Sequence, residues 1–207
     1  MKRINLVFVI ALFFAMACNS EKKSTKADST TAASDTASKL VDTAAMNKAW
    51  LAYMTPSESH QMLAKADGKW DAEISFYYNP DSPSVNKAVC ESKMILGGRY
   101  QQSSYTGDID GMPFEGMNTL AYDNARKIFI STWVDNMGTG IMYMEGTYDA
   151  ATTTMNFKGK ATDVASGKDI AVREVFKIVD DKMHTMEMFE TKEGKEMKTM
   201  SILLKKK

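Results

Sequence analysis

The chain contains little cysteine and little histidine, with two residues of each type among 207. Cysteine occurs at positions 18 and 90, and histidine at positions 60 and 184. These few, scattered thiol and imidazole groups do not form the closely spaced sets that hold structural metal ions, so no metal and no cofactor is predicted. If Cys18 carries a lipid, Cys90 has no intrachain partner for a disulfide, and it is predicted to be a small buried apolar residue.

The sequence also lacks an excess of charge of either sign, with 26 basic and 26 acidic residues. Proteins that bind nucleic acids usually present a basic face, so no nucleic-acid partner is predicted. The sequence contains no phosphate-binding loop, no nucleophile elbow and no dinucleotide fingerprint. No catalytic residue is therefore proposed from the sequence, and an enzymatic function is the less favoured interpretation.

The chain has one mainly apolar run near its start, and this run is short. Met1-Lys2-Arg3 precedes apolar residues 4–17, and 14 residues are fewer than the ~20 that span a bilayer. Two cations, a short apolar segment and small residues at its end are typical of a secretory signal, here residues 1–17. The junction of residues 15–18 resembles a bacterial lipobox, which predicts lipid attachment at Cys18 and a place in the bacterial cell envelope, on the periplasmic side or at the outer membrane. A short transmembrane anchor and an ordinary cleaved signal are the alternatives.

The composition changes twice after the signal. Residues 18–37 are mainly polar, with no aromatic and no large aliphatic residue, and are predicted to form a flexible tether. Apolar residues then recur at three- and four-residue spacing, which predicts a helix over 38–53 within a helical lead-in of 38–54. Thr55, Pro56 and Glu58 are expected to be the N-cap, N1 and N3 positions of a second helix that ends at Asp67-Gly68. A globular domain is predicted over 55–207.

From residue 69 the apolar pattern becomes alternating, and turn signals follow about every 10–14 residues, at 79–83, 96–98, 108–111, 123–124, 136–140, 149–150, 166–168, 180–181 and 193–194. Nine turns divide this region into ten segments of strand length. The predicted fold is therefore all-β, an antiparallel, lipocalin-like barrel of about ten strands preceded by one or two short helices. Closure into a barrel removes exposed sheet edges, and a two-sheet sandwich is the alternative.

The chain resembles the bacterial domain-of-unknown-function 1579 family. The matching segments are residues 54–56 with His60, 68–70, 94–99, 111–116, 122–124, 132–140 and 145–149. This resemblance implies a β-rich domain of unassigned activity. A looser likeness to lipocalin-like (calycin) barrels is carried by Gly68-Lys69-Trp70; it implies that Trp70 closes one end of the barrel beside a late arginine, either Arg173 or Arg99.

Candidate ligand-binding residues are those that combine bulk or charge with a strand or a glycine-rich turn. They are Trp133, Asp135, Tyr143, Glu145, Arg173 and Glu174. Glutamates on apolar strand faces either face solvent or form a polar patch in a cavity. Because adjacent strand residues point to opposite faces, Arg173 and Glu174 line one wall only if a bulge intervenes.

Fifteen of the 17 methionines lie after residue 17, and thioethers make adaptable apolar walls. The leading functional hypothesis is a membrane-tethered envelope lipoprotein whose barrel binds a small apolar or amphipathic ligand. The alternative is a structural or interaction module with a filled core and an unknown protein partner. A hydrolase or haem enzyme is a third interpretation, which requires convergent titratable groups in a cleft.

Overall fold

The computed structural model describes residues 42–207, which form a closed antiparallel barrel of ten strands preceded by two short helices. The strands are β1 (Gly68–Phe76), β2 (Ser84–Ile95), β3 (Tyr100–Ile109), β4 (Met112–Asp123), β5 (Ile128–Asp135), β6 (Met142–Asp149), β7 (Thr154–Asp163), β8 (Lys168–Asp180), β9 (Met183–Lys192) and β10 (Lys195–Lys206). Each strand pairs with its neighbour in sequence, and β1 pairs with β10 to close the barrel. The predicted all-β antiparallel barrel is confirmed. The proposed signal at 1–17, lipid site at Cys18 and tether at 18–37 lie outside the described residues.

Each of the nine predicted turns overlaps a connection between consecutive strands. Three connections contain only two residues, 110–111, 181–182 and 193–194. In Asp110-Gly111 and Glu193-Gly194 all four residues have positive φ. Two consecutive positive φ values define the type I′ turn, whose twist matches that of the flanking strands, and glycine adopts the second position at no steric cost. These turns hold consecutive strands in tight antiparallel pairs.

The first helix, α1 (Thr43–Met54), begins after Asp42, whose carboxylate accepts hydrogen bonds from the backbone N–H groups of Ala44 and Ala45. No residue of α1 is buried. At its end, Thr55 donates its hydroxyl proton to the Leu51 carbonyl oxygen over 2.7 Å. Thr55 is therefore the C-cap of α1. The predicted role of Thr55 as the N-cap of the second helix is wrong.

The second helix, α2 (Glu58–Ala64), has Ser57 as its N-cap. The Ser57 backbone N–H donates to Nδ1 of His60 over 2.9 Å, so the imidazole, not the Glu58 carboxylate, completes the reciprocal cap. Glu58 is the first helical residue. The helix begins two residues later than predicted. The reason is that a histidine three residues after Ser57 can accept the hydrogen bond that a Glu or Gln usually accepts in a capping box.

Helix α2 covers one end of the barrel. Gln101 on β3 donates from Nε2 to the Leu63 carbonyl oxygen (2.5 Å) and to Oδ1 of Asp67 (3.2 Å). Leu63 is buried among residues of β5, β6 and β7. The two type I′ turns, at 110–111 and 193–194, and the 136–141 and 164–167 loops lie at the opposite end, because antiparallel strands alternate in direction around the barrel.

Candidate functional site: the barrel interior

The barrel encloses a cavity of about 1260 Å³. It runs from α2 and Trp70 at the covered end to the 136–141 loop at the other. Its walls are mainly aromatic, aliphatic and thioether side chains, among them Phe76, Phe114, Met144, Phe157, Phe176 and Met188. Pockets that bind small molecules usually measure ~300–1,000 Å³ and have such walls, so the interior is large enough for a ligand.

Trp70 closes the covered end of the barrel and is 1% exposed. Its Nε1 donates to the Ala66 carbonyl oxygen over 2.9 Å, which satisfies the indole N–H at the end of α2. The His184 ring lies 4.4 Å from the Trp70 ring, and the Lys206 ammonium is 5.2 Å from the same ring. Burial, and after it the charge of Lys206, lowers the pKa of His184, so this imidazole is held in its neutral form. The cation beside Trp70 is thus a lysine of the last strand, not Arg173 or Arg99.

The opposite end has an apolar rim. Tyr78, Ile141 and Val164 line the cavity there and are 76%, 73% and 96% exposed. Met137 lies on the same rim and is also exposed. A ligand that enters at this end meets apolar groups before it reaches the interior.

Trp133 and Asp135 face the interior near this open end. The indole Nε1 of Trp133 donates to Oδ2 of Asp135 over 2.6 Å, and Oδ1 accepts the Met137 N–H over 2.9 Å. The Trp133 ring packs edge-on against Tyr105 with centroids 5.4 Å apart. Gly116 on β4 leaves room for this ring, since a Cβ at that position would lie 2.5 Å from Cζ2 of Trp133. Asp135 therefore holds both the indole and the loop, and its two oxygens are already partnered.

Glu174 lies midway along β8 and faces the interior. It alternates with Val172 and Phe176, and the residues opposite it on the neighbouring strands are Phe157 and Met188. Its carboxyl group makes no hydrogen bond or ion pair with any residue in 42–207. Burial raises the pKa of Glu174 to about 7, because removal from water disfavours the charged form.

A small polar patch on β2 and β3 faces the same interior. The hydroxyls of Ser92 and Ser103 are 2.7 Å apart, and Sγ of Cys90 is 3.6 Å from the Ser92 hydroxyl. Burial raises the pKa of Cys90, which is a buried free thiol as predicted. Burial, followed by the nearby Cys90 and Glu174, raises the pKa of Tyr105 well above its ordinary value. These groups are neutral at physiological pH.

The other three candidate residues turn their polar groups to the outer surface. Tyr143 and Glu145 border the cavity, but Arg126 donates from Nη1 and Nη2 to the two Glu145 oxygens (2.8 and 2.7 Å) and the Tyr143 hydroxyl donates to Oε1 (2.6 Å). These hydrogen bonds lower the pKa of Glu145, and the bonds from Arg126 have the larger effect. Arg173 forms a bidentate pair with Glu196 at 2.8 and 2.7 Å, outside the barrel.

The six candidate residues therefore do not surround one site. Trp133 is opposite Met142 in the β5–β6 pair, so Met142 and Met144 share its face while Tyr143 and Glu145 lie on the other. The prediction that Trp133 and Glu145 line the same wall is therefore wrong. The pairing of β5 with β6 is shifted by one residue from the pairing that this prediction requires. Arg173 and Glu174 point to opposite sides, as alternation requires. Tyr105, Ser92 and Ser103 were not among the predicted site residues, because isolated hydroxyls on alternating strands resemble solvent-facing residues.

Within residues 42–207, no three His, Cys, Asp or Glu side chains are grouped so that they could hold a metal ion. No helix in this part of the chain is long and apolar enough to cross a membrane.

Residues 55–206 match the sequence profile described as "Protein of unknown function (DUF1579)". The chain belongs to the DUF1579 family. The match covers the second helix and all ten strands, so the DUF1579 domain and the barrel coincide. No curated protein has significant sequence similarity to the chain.

The fold is similar to that of a solved bacterial protein. The crystal structure of Rv2717c from M. tuberculosis superimposes with a TM-score of 0.55 and 13% sequence identity. The superposition covers 74% of this chain and 99% of that one. At this level of identity the likeness concerns the fold alone.

Proposed function

We propose that the DUF1579 barrel binds a small apolar or amphipathic ligand in its interior. The observation that carries the proposal is the cavity of about 1260 Å³ with apolar walls and an open end. Globular interiors are normally packed without voids much larger than a water molecule, so a barrel with a purely structural role would gain stability by filling this space. The alternative, a structural module with a filled core, is for this reason less well supported.

Methionine contributes strongly to the cavity wall. Met144, Met155, Met186, Met188 and Met200 all line it. Unbranched thioether side chains adjust to ligands of different shape at low cost. The composition therefore suits a binder of flexible chains or of a range of apolar molecules.

Uptake of Nile red, an uncharged apolar dye, tests this proposal. The wild-type protein should bind the dye with a rise in fluorescence, and Met188→Trp should weaken binding, since a larger side chain midway along β9 takes up part of the space that the dye needs. Met197→Trp is the matched control, because Met197 is exposed and does not line the cavity. Both variants should keep the circular dichroism of the barrel. Equal dye affinity of Met188→Trp and the wild type would contradict binding in the interior.

We also propose that a lipid on Cys18 tethers the barrel to a membrane of the bacterial envelope. The signal-like residues 1–17 and the polar residues 18–37 support this proposal. Cys18→Ala should move the protein from the membrane fraction to the soluble fraction of the envelope. An unchanged distribution would show that another feature holds the protein at the membrane.

A further inference from the structure

We propose that the ligand of this cavity is an amphiphile with a basic nitrogen, and that Glu174 binds its ammonium group while the apolar walls enclose its hydrocarbon part. This inference rests on the proposed function and specifies the class of ligand.

Glu174 has no partner among residues 42–207. A carboxyl group inside a protein is normally paired or hydrogen-bonded, because an unpaired buried carboxylate costs several kcal/mol. The Glu174 group makes no hydrogen bond or ion pair within residues 42–207, and the side chains opposite it, Phe157 and Met188, offer none. The protein would be more stable with a hydrophobic residue at this position. The unpaired carboxyl is therefore free to accept a hydrogen bond or an ion pair from a ligand.

The charged side chains that border the cavity leave the Glu174 carboxyl without a counter-charge among residues 42–207. Asp135 also faces the cavity, but its two oxygens accept hydrogen bonds from Trp133 and from the 137 backbone N–H. Lys158 and Lys160 border the cavity, yet they alternate with Phe157, which is buried, so their ammonium groups point outward. The ammonium of Lys160 lies 3.1 Å from Oδ2 of Asp169 on the outer surface. Among the described residues that line the cavity, no lysine or arginine is therefore directed at Glu174.

Mainly apolar surface surrounds the Glu174 carboxyl. Glu174 lies midway along its strand, with Val172 on one side, Phe176 on the other and Met188 opposite it on β9. One carboxyl without a partner, set in mainly apolar walls, matches a molecule with one polar head and a hydrocarbon body. Burial raises the pKa of Glu174 to about 7, and an ammonium group beside it would hold it ionised.

Displacement of Nile red from the full chain by three twelve-carbon amphiphiles tests this inference. Dodecylammonium, dodecanol and dodecanoate have the same hydrocarbon tail but a positive, a neutral and a negative head at about pH 8. The wild-type protein should prefer dodecylammonium to dodecanol by at least about tenfold, the size of a charge-assisted hydrogen bond. Dodecanoate should bind most weakly.

Two variants separate the role of Glu174 from general effects. Glu174→Gln should reduce the preference for dodecylammonium over dodecanol to about onefold while leaving the dodecanol affinity unchanged. Glu187→Gln is the control, because Glu187 lies on the neighbouring strand and is directed outward, 3.3 Å from the Lys198 ammonium. It should retain the wild-type preference.

The outcomes are distinct. Equal wild-type affinity for dodecylammonium and dodecanol, or a preference that survives in Glu174→Gln, would overturn the assignment of a basic ligand while leaving an apolar binding cavity in place. Failure of all three amphiphiles and of the dye to bind would overturn the proposed function as well.

Discussion

Replacing Glu174 by glutamine should change how the stability of the barrel depends on pH. The pKa of Glu174 is raised in the folded protein, from 4.5 to about 7, because burial disfavours the carboxylate. The folded state therefore holds this proton more tightly than the unfolded state. The stability that the neutral group allows is fully present below a pH of about 4.5, is lost as the pH rises toward about 7, and stays lost above it.

The size of the effect follows from the shift. Each pKa unit corresponds to ~1.4 kcal/mol, so a rise from 4.5 to about 7 predicts a loss of ~3 kcal/mol across this range. Glutamine has nearly the same shape and cannot ionise. Glu174→Gln and the wild type should therefore have similar stability near pH ~4, and the variant should be ~3 kcal/mol more stable near pH ~8.

Urea unfolding followed by tryptophan fluorescence measures this difference. The other carboxylates titrate in both proteins, so the difference in unfolding free energy between variant and wild type isolates residue 174. Glu187→Gln removes an exposed carboxylate and a surface ion pair with Lys198, and should change stability by less than ~1 kcal/mol at either pH. If the difference between Glu174→Gln and the wild type is the same near both pH values, the carboxyl is solvated in the folded state and the reasoning fails.

Trp70→Ala should lower the unfolding free energy by ~3–5 kcal/mol, because it removes a fully buried indole and its hydrogen bond to the Ala66 carbonyl oxygen. A loss below ~1 kcal/mol in urea unfolding would show that the stability of the covered end does not depend on this ring. Gly159→Ala should cost ~1–3 kcal/mol, since an added Cβ would collide with the Tyr143 carbonyl oxygen, while Gly140→Ala meets no atom within 4 Å and should be nearly neutral in the same measurement. Similar unfolding free energies for the two glycine variants would contradict the close strand approach at Gly159.

Much of the fold could be predicted from local patterns. The two-residue connections at 110–111 and 193–194 require positive φ, which the glycines allow, and alternation of apolar residues such as Trp70, Ala72 and Ile74 marks an inward face. The helix caps were harder to predict. Thr55 and Ser57 can both cap a helix, and the choice depends on which side chains reach them, here His60 for Ser57.

The candidate site was only partly predictable because one strand register decides it. The loop of residues 136–141 separates β5 from β6, and its length and conformation determine whether Met142 or Tyr143 lies opposite Trp133. A shift of one residue exchanges the two faces of a strand. For this reason Tyr143 and Glu145 are directed outward toward Arg126, although their types and spacing suit a polar patch inside the barrel equally well.

The sequence by itself determined the number of strands, their turns and their antiparallel order, because these depend on alternation and on residues that tolerate turn conformations. It also determined that Arg173 and Glu174 point to opposite faces, since strand geometry has a period of two. Only the tertiary structure decided that Glu174 is the inward residue, that no lysine or arginine among residues 42–207 accompanies it and that the barrel is hollow. Those properties depend on contacts between strands far apart in the chain, where closure brings β8 and β3 to face each other across one shared cavity.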